Sequence, residues 1–392
     1  MDVRSSLIYL LCAILPKRNT AVVYTFPAFD DTALALVPEL EKTGLEKIYY
    51  LAPEDVHAGE EQDWGTKVVV LPKRSVRALW VFLTSRYVFC THRCFTSRFP
   101  HNVESVNVWH GMPIKRIGWM AEGKKTTAPH AKYELATSEF WRPIIQNCMR
   151  PWGKVLISGL PRYDRFLALG AEQVRRRLGG EAQTCAQLVV WLPTYRHSLV
   201  GAHEQDGSDF RNEAQMPDFN IEAFESWLEA RNMVCVLKPH PLGKKPQIRA
   251  TGHLRIMDDA ALASQGLSLY ALLGGADVLL TDVSSVYVDF LLLDRPVIHT
   301  FADRTAYQAS RGFTFDWTEK YLAGPMVEDM AGVQEALAEL ASRADLYAQQ
   351  RSRLRQLFHA NPNIPATSKL LDKLGLGPAF CFDKSGGQGQ TT

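Results

Sequence analysis

The chain has 392 residues, 46% of them hydrophobic and 22% charged, with a net charge of +2. That length exceeds one ordinary domain, and the balance is that of a globular protein with a sizeable core. The near-neutral total gives no argument for a nucleic-acid partner, and seven cysteines without a Cys-x-x-Cys pair exclude a disulfide framework and favour a reducing compartment.

Taken in order, the apolar run 7–15 is too short to span a bilayer, and Pro16-Lys17-Arg18 follows it in place of a small-residue cleavage site. A short helix is expected there, packed on the fold or lying at a membrane surface, in a protein that stays in the cytoplasm, peripheral on the inner face of the cell membrane. Strands are expected at 21–25, 46–51, 67–71, 87–90, 105–109, 134–137 and 155–158, with amphipathic helices at 31–43 and 139–150. Between Pro72 and Lys125 ten lysines and arginines stand against Glu104 and Glu122, with Trp80, Phe82, Phe95 and Phe99 interleaved. Such a surface suits anionic lipid or a phosphate-rich acceptor; the alternative puts Trp80 and Phe82 in the core beneath a solvated face.

The polar, arginine-rich stretch 170–184 reads as an interdomain connection. A second series follows, with strands at 188–192, 233–238, 254–256, 277–281 and 297–301 and helices at 221–230, 267–274 and 285–293. Residues 198–217 lack periodicity and read as a loop. Two helices are expected within 331–360, with 346–375 packing back on the first domain and 383–392 a disordered tail. Alternating strands and helices predict an α/β chain of GT-B type: two Rossmann-like domains, 1–168 and 169–345, whose parallel sheets face a common cleft. Ligands of such sheets sit at the carboxyl ends of strands.

Three segments carry chemistry-bearing side chains to such ends. Strand 277–281 runs into Thr281-Asp282-Val283-Ser284-Ser285 and a helix, where a serine cap and open N–H groups make an anion site. Strand 233–238 delivers Lys238 and His240 into a turn stiffened by Pro239 and Pro241, able to neutralise a leaving phosphate. Strand 105–109 presents His110 before Gly111-Met112-Pro113; an imidazole is suited to accept a hydroxyl proton near neutral pH, and Lys115 and Arg116 stand ready for acceptor phosphates. Arg162 and Arg196 follow strands in proline-bearing turns and are candidate phosphate contacts. The patterns of P-loop, dinucleotide, zinc-protease and serine-hydrolase sites do not occur, and the eleven histidines do not fall at metal-ligand spacings, so no metal is expected.

In order, Trp109-His110-Gly111-x-Pro113, Gly159-x-Pro161-Arg162-x-Asp164, Pro193-Thr194-Tyr195-Arg196, Lys238-Pro239-His240-Pro241, Thr281-Asp282-x-Ser284-Ser285 with Asp289, Arg295-Pro296 and Arg311-Gly312-Phe313-x-Phe315-Asp316 resemble the CDP-glycerol glycerophosphotransferase family over roughly residues 15–360. The resemblance implies transfer of glycerol phosphate from CDP-glycerol, without a metal or other cofactor, to a hydroxyl of a lipid-linked glycan or a growing polyol-phosphate polymer, as in teichoic acid or capsule-like polymers. By position, His110 becomes the base and His240 the stabiliser of the donor diphosphate. Arg196, Lys238, Thr281, Asp282, Ser284, Ser285 and Asp289 make up the donor side; Gly111, Lys115, Arg116 and Arg162 make up the acceptor side. Met112 and Val283 depart from the family's usual threonine and tyrosine. The position of His110 so near the start leaves little room for an extra N-terminal domain, which favours a compact, primase-like enzyme. A CDP-ribitol enzyme, a sugar-nucleotide glycosyltransferase or epimerase, and a non-catalytic nucleotide-binding scaffold are the competing readings.

Overall fold

The computed structural model describes residues 3–54, 64–123, 130–197, 205–240, 246–342, 345–363 and 365–377. The expected tail 383–392 and part of the expected loop, 198–204, lie outside the described residues.

Seven short strands form the first sheet: β1 (Arg18–Tyr24), β2 (Lys47–Ala52), β3 (Val68–Pro72), β4 (Ser85–Cys90), β5 (Glu104–Asn107), β6 (Tyr133–Ala136) and β7 (Lys154–Ile157). Six form the second: β8 (Gln187–Leu192), β9 (Met233–Leu237), β10 (Leu254–Ile256), β11 (Val278–Thr281), β12 (Val297–Thr300) and β13 (Met326–Val327). The orders are β3-β2-β1-β4-β5-β6-β7 and β10-β9-β8-β11-β12-β13, and all recorded pairings are parallel. Covering on both faces explains the continuous apolar runs: β9 and β11 are buried at every residue. Each sheet reverses direction of growth once, between β1 and β4 and between β8 and β11. Those are the switch points where a cleft opens beyond the strand ends.

The two faces of the first sheet serve different ends. Ala21 and Val23 join the large core shared with the second domain, whereas Val22, Tyr24 and Val88 pack under the helices Val3–Ile14 and Val76–Thr84. Of the expected basic, aromatic surface, Phe82 and Phe99 are core residues and Phe95 is partly buried; Trp80 alone is half exposed. Residues 170–184 are not a plain connection. They hold the helix Ala171–Leu178 and a turn of 3-10 helix at Gly180–Gln183, because Val174 and Leu178 form a buried i, i+4 pair beneath the arginines. Arg175 further binds Asp277 at 2.6 Å.

At the carboxyl end, Met330–Ser342 lies on the second sheet, Ala348–Phe358 pairs with the second domain through Arg351 and Asp294 and reaches the first only at Phe358, against Phe140 and Trp141, and an additional helix, Thr367–Lys373, packs on the first domain. Thr137 donates its hydroxyl to the Phe358 carbonyl at 2.6 Å and accepts from the Ala360 amide through its own carbonyl at 2.8 Å. Asp164 receives the Thr367 amide at 3.1 Å, and it also receives that of Ala366.

Candidate active site

The strand-end turn after β5 is built around Asn107. Its side chain donates to buried Glu134 at 2.8 Å and accepts the Trp109 amide at 3.2 Å. Trp109 turns into the core and His110 is left on the cleft floor. The His110 ring lies parallel to that of His92, with centroids 5.2 Å apart and planes 6° apart. His92 itself is fixed by Thr91, whose hydroxyl lies 3.0 Å from Nδ1 and also accepts the Phe26 amide at 3.0 Å.

Gly111 adopts φ +137°, in the region that favours glycine, and it stands where the two domains touch. A Cβ at this position would sit 2.6 Å from Ser285 Cβ and 3.0 Å from Arg162. From the facing helix start, the Ser285 hydroxyl donates to the His110 carbonyl at 3.4 Å. Replacing Gly111 by alanine is expected to lower transfer at least about tenfold and stability by about 1–3 kcal/mol, from strain and forced separation. Steady-state rates and thermal unfolding check this; unchanged values for both would show that the contact is dispensable.

The opposite wall comes from the second sheet. Lys238 leaves β9 buried, with Nζ 3.0 Å from Asp259, and His240 follows against the Tyr195 ring at 4.3 Å. Lys115 reaches over from the first domain into the field of Asp282, Arg311 and Arg196. Burial draws its ammonium down to about 8, against the opposing pull of Asp282. Burial, together with Lys115 and Lys238, draws His240 down to about 3. His110 is pulled well below the usual imidazole value, first by burial and then by His92, Arg162, His240 and Lys115. Its surface remains open to solvent while protein rings it at longer range, which moderates the pull without reversing it. Both histidines are therefore neutral at pH 7, the form in which a ring nitrogen accepts a proton or donates one N–H.

Several motif residues lie beneath this surface rather than on it. Arg196, expected on the donor, is nearly fully buried. Its guanidinium donates to both Asp303 oxygens at 2.7 Å, to Asp282 at 2.8 Å and to Thr194. Thr281 gives its hydroxyl to the Leu192 carbonyl at 2.8 Å. Asp282 accepts the Thr194 amide and hydroxyl through one oxygen; the other, Oδ1, is buried without a hydrogen-bond partner among the described residues.

Asp289, also expected on the donor, is 0% exposed, and its oxygens are occupied by Arg162, Tyr163 and Tyr270. It ties Arg162 and Tyr163, in the 3-10 helix Pro161–Leu167, to the second domain. Arg162, expected on the acceptor, is committed to the same knot. Arg116 donates from Nε to the Phe313 carbonyl at 3.2 Å and pairs with Glu122. Ser284 Oγ accepts the Val286 amide at 3.3 Å in a local turn just before the helix Val286–Phe290, while Ser285, at the cap position, makes no side-chain cap bond and turns to the interdomain contact. Met112 and Val283 are both fully buried.

The structure thus brings His110, Gly111, Ser285, Lys115 and His240 to one cleft, with Lys238 at its back. Sequence reasoning overlooked His92 and Tyr270, and it named Tyr195 within a motif without giving it a role. His92 stands just past β4 at the first sheet's switch point, and that topological rule was the signal available for it. Beside His240, a pocket of about 470 Å³ opens between Pro193, Tyr195, Arg211, Asn212, Gln215 and Pro239.

Two Rossmann-like domains meeting at their switch points, with an imidazole on one side and hydroxyls and cations on the other, define a GT-B-type transferase that uses a nucleotide-activated donor. A family model described as CDP-Glycerol:Poly(glycerophosphate) glycerophosphotransferase matches residues 7–374. The chain belongs to that glycerophosphotransferase family. It is 23% identical over 355 residues to a teichoic acid poly(glycerol phosphate) polymerase of Bacillus spizizenii, covering 85% of this chain and 86% of that one. It is 27% identical over 274 residues to a teichoic acid glycerol-phosphate transferase of Staphylococcus aureus, covering 64% and 66%. A solved structure of the wall teichoic acid polymerase TagF superposes with a TM-score of 0.73 at 17% identity, over 92% of this chain and 89% of that one, and shares the fold.

Proposed function

We propose that the enzyme moves glycerol phosphate from CDP-glycerol to a hydroxyl of a lipid-linked glycan or of a growing polyol-phosphate chain at the inner face of the cytoplasmic membrane. The contact of Ser285 with the His110 carbonyl, with His240 close enough to act electrostatically on the His110 ring, carries this reading. His110 takes the proton of the attacking hydroxyl, the oxygen attacks in line the phosphorus bearing glycerol, and CMP leaves. Lys115, Lys238, the N–H of His240 and the Ser285 hydroxyl oppose the charge of the diphosphate. Among the described residues no group of three or more His, Cys, Asp or Glu side chains converges as metal ligands. The pocket beside His240 falls in the size range of small-ligand sites and takes the nucleoside. No helix among the described residues is long and apolar enough to cross a membrane; in this reading the enzyme meets its lipid-linked acceptor from the membrane surface.

Purified protein given CDP-glycerol or CDP-ribitol with candidate acceptors, followed by product mass and nucleotide analysis, tests the assignment. CMP release with a mass gain of one glycerol phosphate supports it. UDP release from a sugar nucleotide, or no turnover of either CDP-polyol, removes it.

The pH dependence follows from the two shifts. His110 stays neutral well below pH 6.5, so kcat/KM for the donor lacks the usual histidine limb near that value. Lys115 is charged below about 8 and loses its proton above it, so kcat/KM falls as pH rises through that value. Substituting Lys115→Met is expected to lower kcat/KM below pH 8 and to flatten the alkaline limb; a limb that persists in the variant assigns it elsewhere.

A further inference from the structure

We propose that Phe26 and His92 form an acceptor subsite beside His110, in which the Phe26 ring takes the carbon face of a sugar and His92 gives an N–H to the hydroxyl next to the attacking one. The proposal rests on the transfer reading and names the acceptor class within it: a glycan end, not an open polyol-phosphate chain.

Phe26 lies two residues past β1, at the first sheet's switch point, and its side chain is 52% exposed. A single exposed aromatic is ordinary, but this one is built into the surroundings of the base. Its amide donates to the Thr91 hydroxyl at 3.0 Å, and its ring meets His92 edge to face with centroids 5.3 Å apart. His92 in turn lies parallel to His110. The loop beneath is pinned from the core: the Tyr50 hydroxyl lies 2.9 Å from that of Thr25 and accepts the Phe29 amide at 2.6 Å. Phe26 is therefore open to solvent yet held in place, the condition under which an exposed ring adds affinity without an ordering cost.

The protons around His92 can be placed by elimination. Thr91 is fully buried, and its hydroxyl oxygen already accepts the Phe26 amide. Its remaining side-chain partner among the described residues is His92 Nδ1 at 3.0 Å, so the hydroxyl proton goes to that nitrogen. Burial draws His92 down to about 4, which leaves the ring neutral at pH 7 with its own proton on Nε2. His92 is thus a hydrogen-bond donor standing directly beside the base.

The lining selects the occupant. Residues 25–29 carry no charge, and His92 adds none. Two neighbouring cations are drawn elsewhere: Arg93 donates to Ser5 at 2.6 Å, and Lys73 lies over the Tyr24 ring at 3.7 Å. An open polyol-phosphate chain would bring a phosphate against this neutral, partly apolar wall, where its charge is poorly solvated. A sugar ring brings a flat face of C–H groups to bury on an aromatic ring, and adjacent hydroxyls at its edge to meet both imidazoles.

The test measures transfer from CDP-glycerol by the full chain to a panel of water-soluble alkyl hexosides and N-acetylhexosaminides and to a glycerol phosphate trimer. The wild type is expected to favour at least one glycoside over the trimer in kcat/KM. Phe26→Ala is expected to lower kcat/KM for that glycoside about five- to tenfold, chiefly through KM, against a loss of about twofold for the trimer. Phe26→Trp is expected to restore the preference. His92→Phe, which keeps a flat ring against His110, is expected to lower kcat/KM for the glycoside about tenfold, and His92→Gln, which returns an N–H donor, to recover most of it. Calorimetric affinity for CDP-glycerol is expected to stay within about twofold in all four variants. A wild type that prefers the trimer to every glycoside, a Phe26→Ala loss equal on both acceptors, or a glutamine at 92 no better than phenylalanine would overturn the proposal. Saturation-transfer NMR separates the subsite from the transfer reading. Glycoside binding that Phe26→Ala abolishes, with no turnover of CDP-glycerol on any acceptor, removes the transfer reading alone; turnover on the trimer with no glycoside bound removes the subsite alone.

Discussion

Replacing His110 by alanine is expected to lower turnover about 10²–10⁴-fold, the range in which a positioned general base contributes, while CDP-glycerol affinity changes less than about threefold. The ring is neutral in the resting protein and opens onto the cleft, so its basic nitrogen is available where an acceptor hydroxyl arrives. Its contact with the second domain runs through the backbone carbonyl, which the substitution keeps. Donor groups on the opposite wall are likewise untouched. Saturating-donor kinetics with calorimetric titration of CDP-glycerol separates the two effects. Turnover within tenfold of wild type would move the base to another group, with His92 the nearest candidate.

Removal of the Asp289 carboxylate acts on stability rather than on a single step. Asp289→Ala leaves the Arg162 guanidinium charged, buried and without its counterion, and strands the Tyr163 and Tyr270 hydroxyls. Breaking one side of such a buried pair costs about 3–5 kcal/mol, a large part of the stability of an ordinary domain. Denaturant unfolding is expected to show a loss of that size and lower expression, with Asp289→Asn milder because an acceptor remains. A loss below about 1 kcal/mol would mean that water or rearrangement satisfies the knot.

The alternation of strands and helices was legible because both sheets are parallel and covered, so each strand is a short apolar run between turn residues. The cleft was legible where a motif ended a strand: His110 after β5, His240 after β9, Ser285 after β11. Depth was not. Arg196 and Asp289 occupy motif positions as polar as Ser285, yet their side chains are spent on Asp303 and on Arg162. Sequence does not reveal which polar partner lies a hundred residues away. The helix Ala171–Leu178 was hidden for a related reason: three consecutive arginines mask a buried pair one turn apart.

The turn that carries Lys115 is stitched to the far domain. Arg116 and Gly312 share a backbone bond at 3.1 Å, Thr314 and Ile114 another at 2.8 Å, and Thr314 adds its hydroxyl on the Pro113 carbonyl at 2.6 Å. A wide clamshell opening would have to unzip these together. Any rocking of the halves therefore pivots about that seam, and the turn bearing Lys115 keeps its place against the second domain while the rest of the cleft moves.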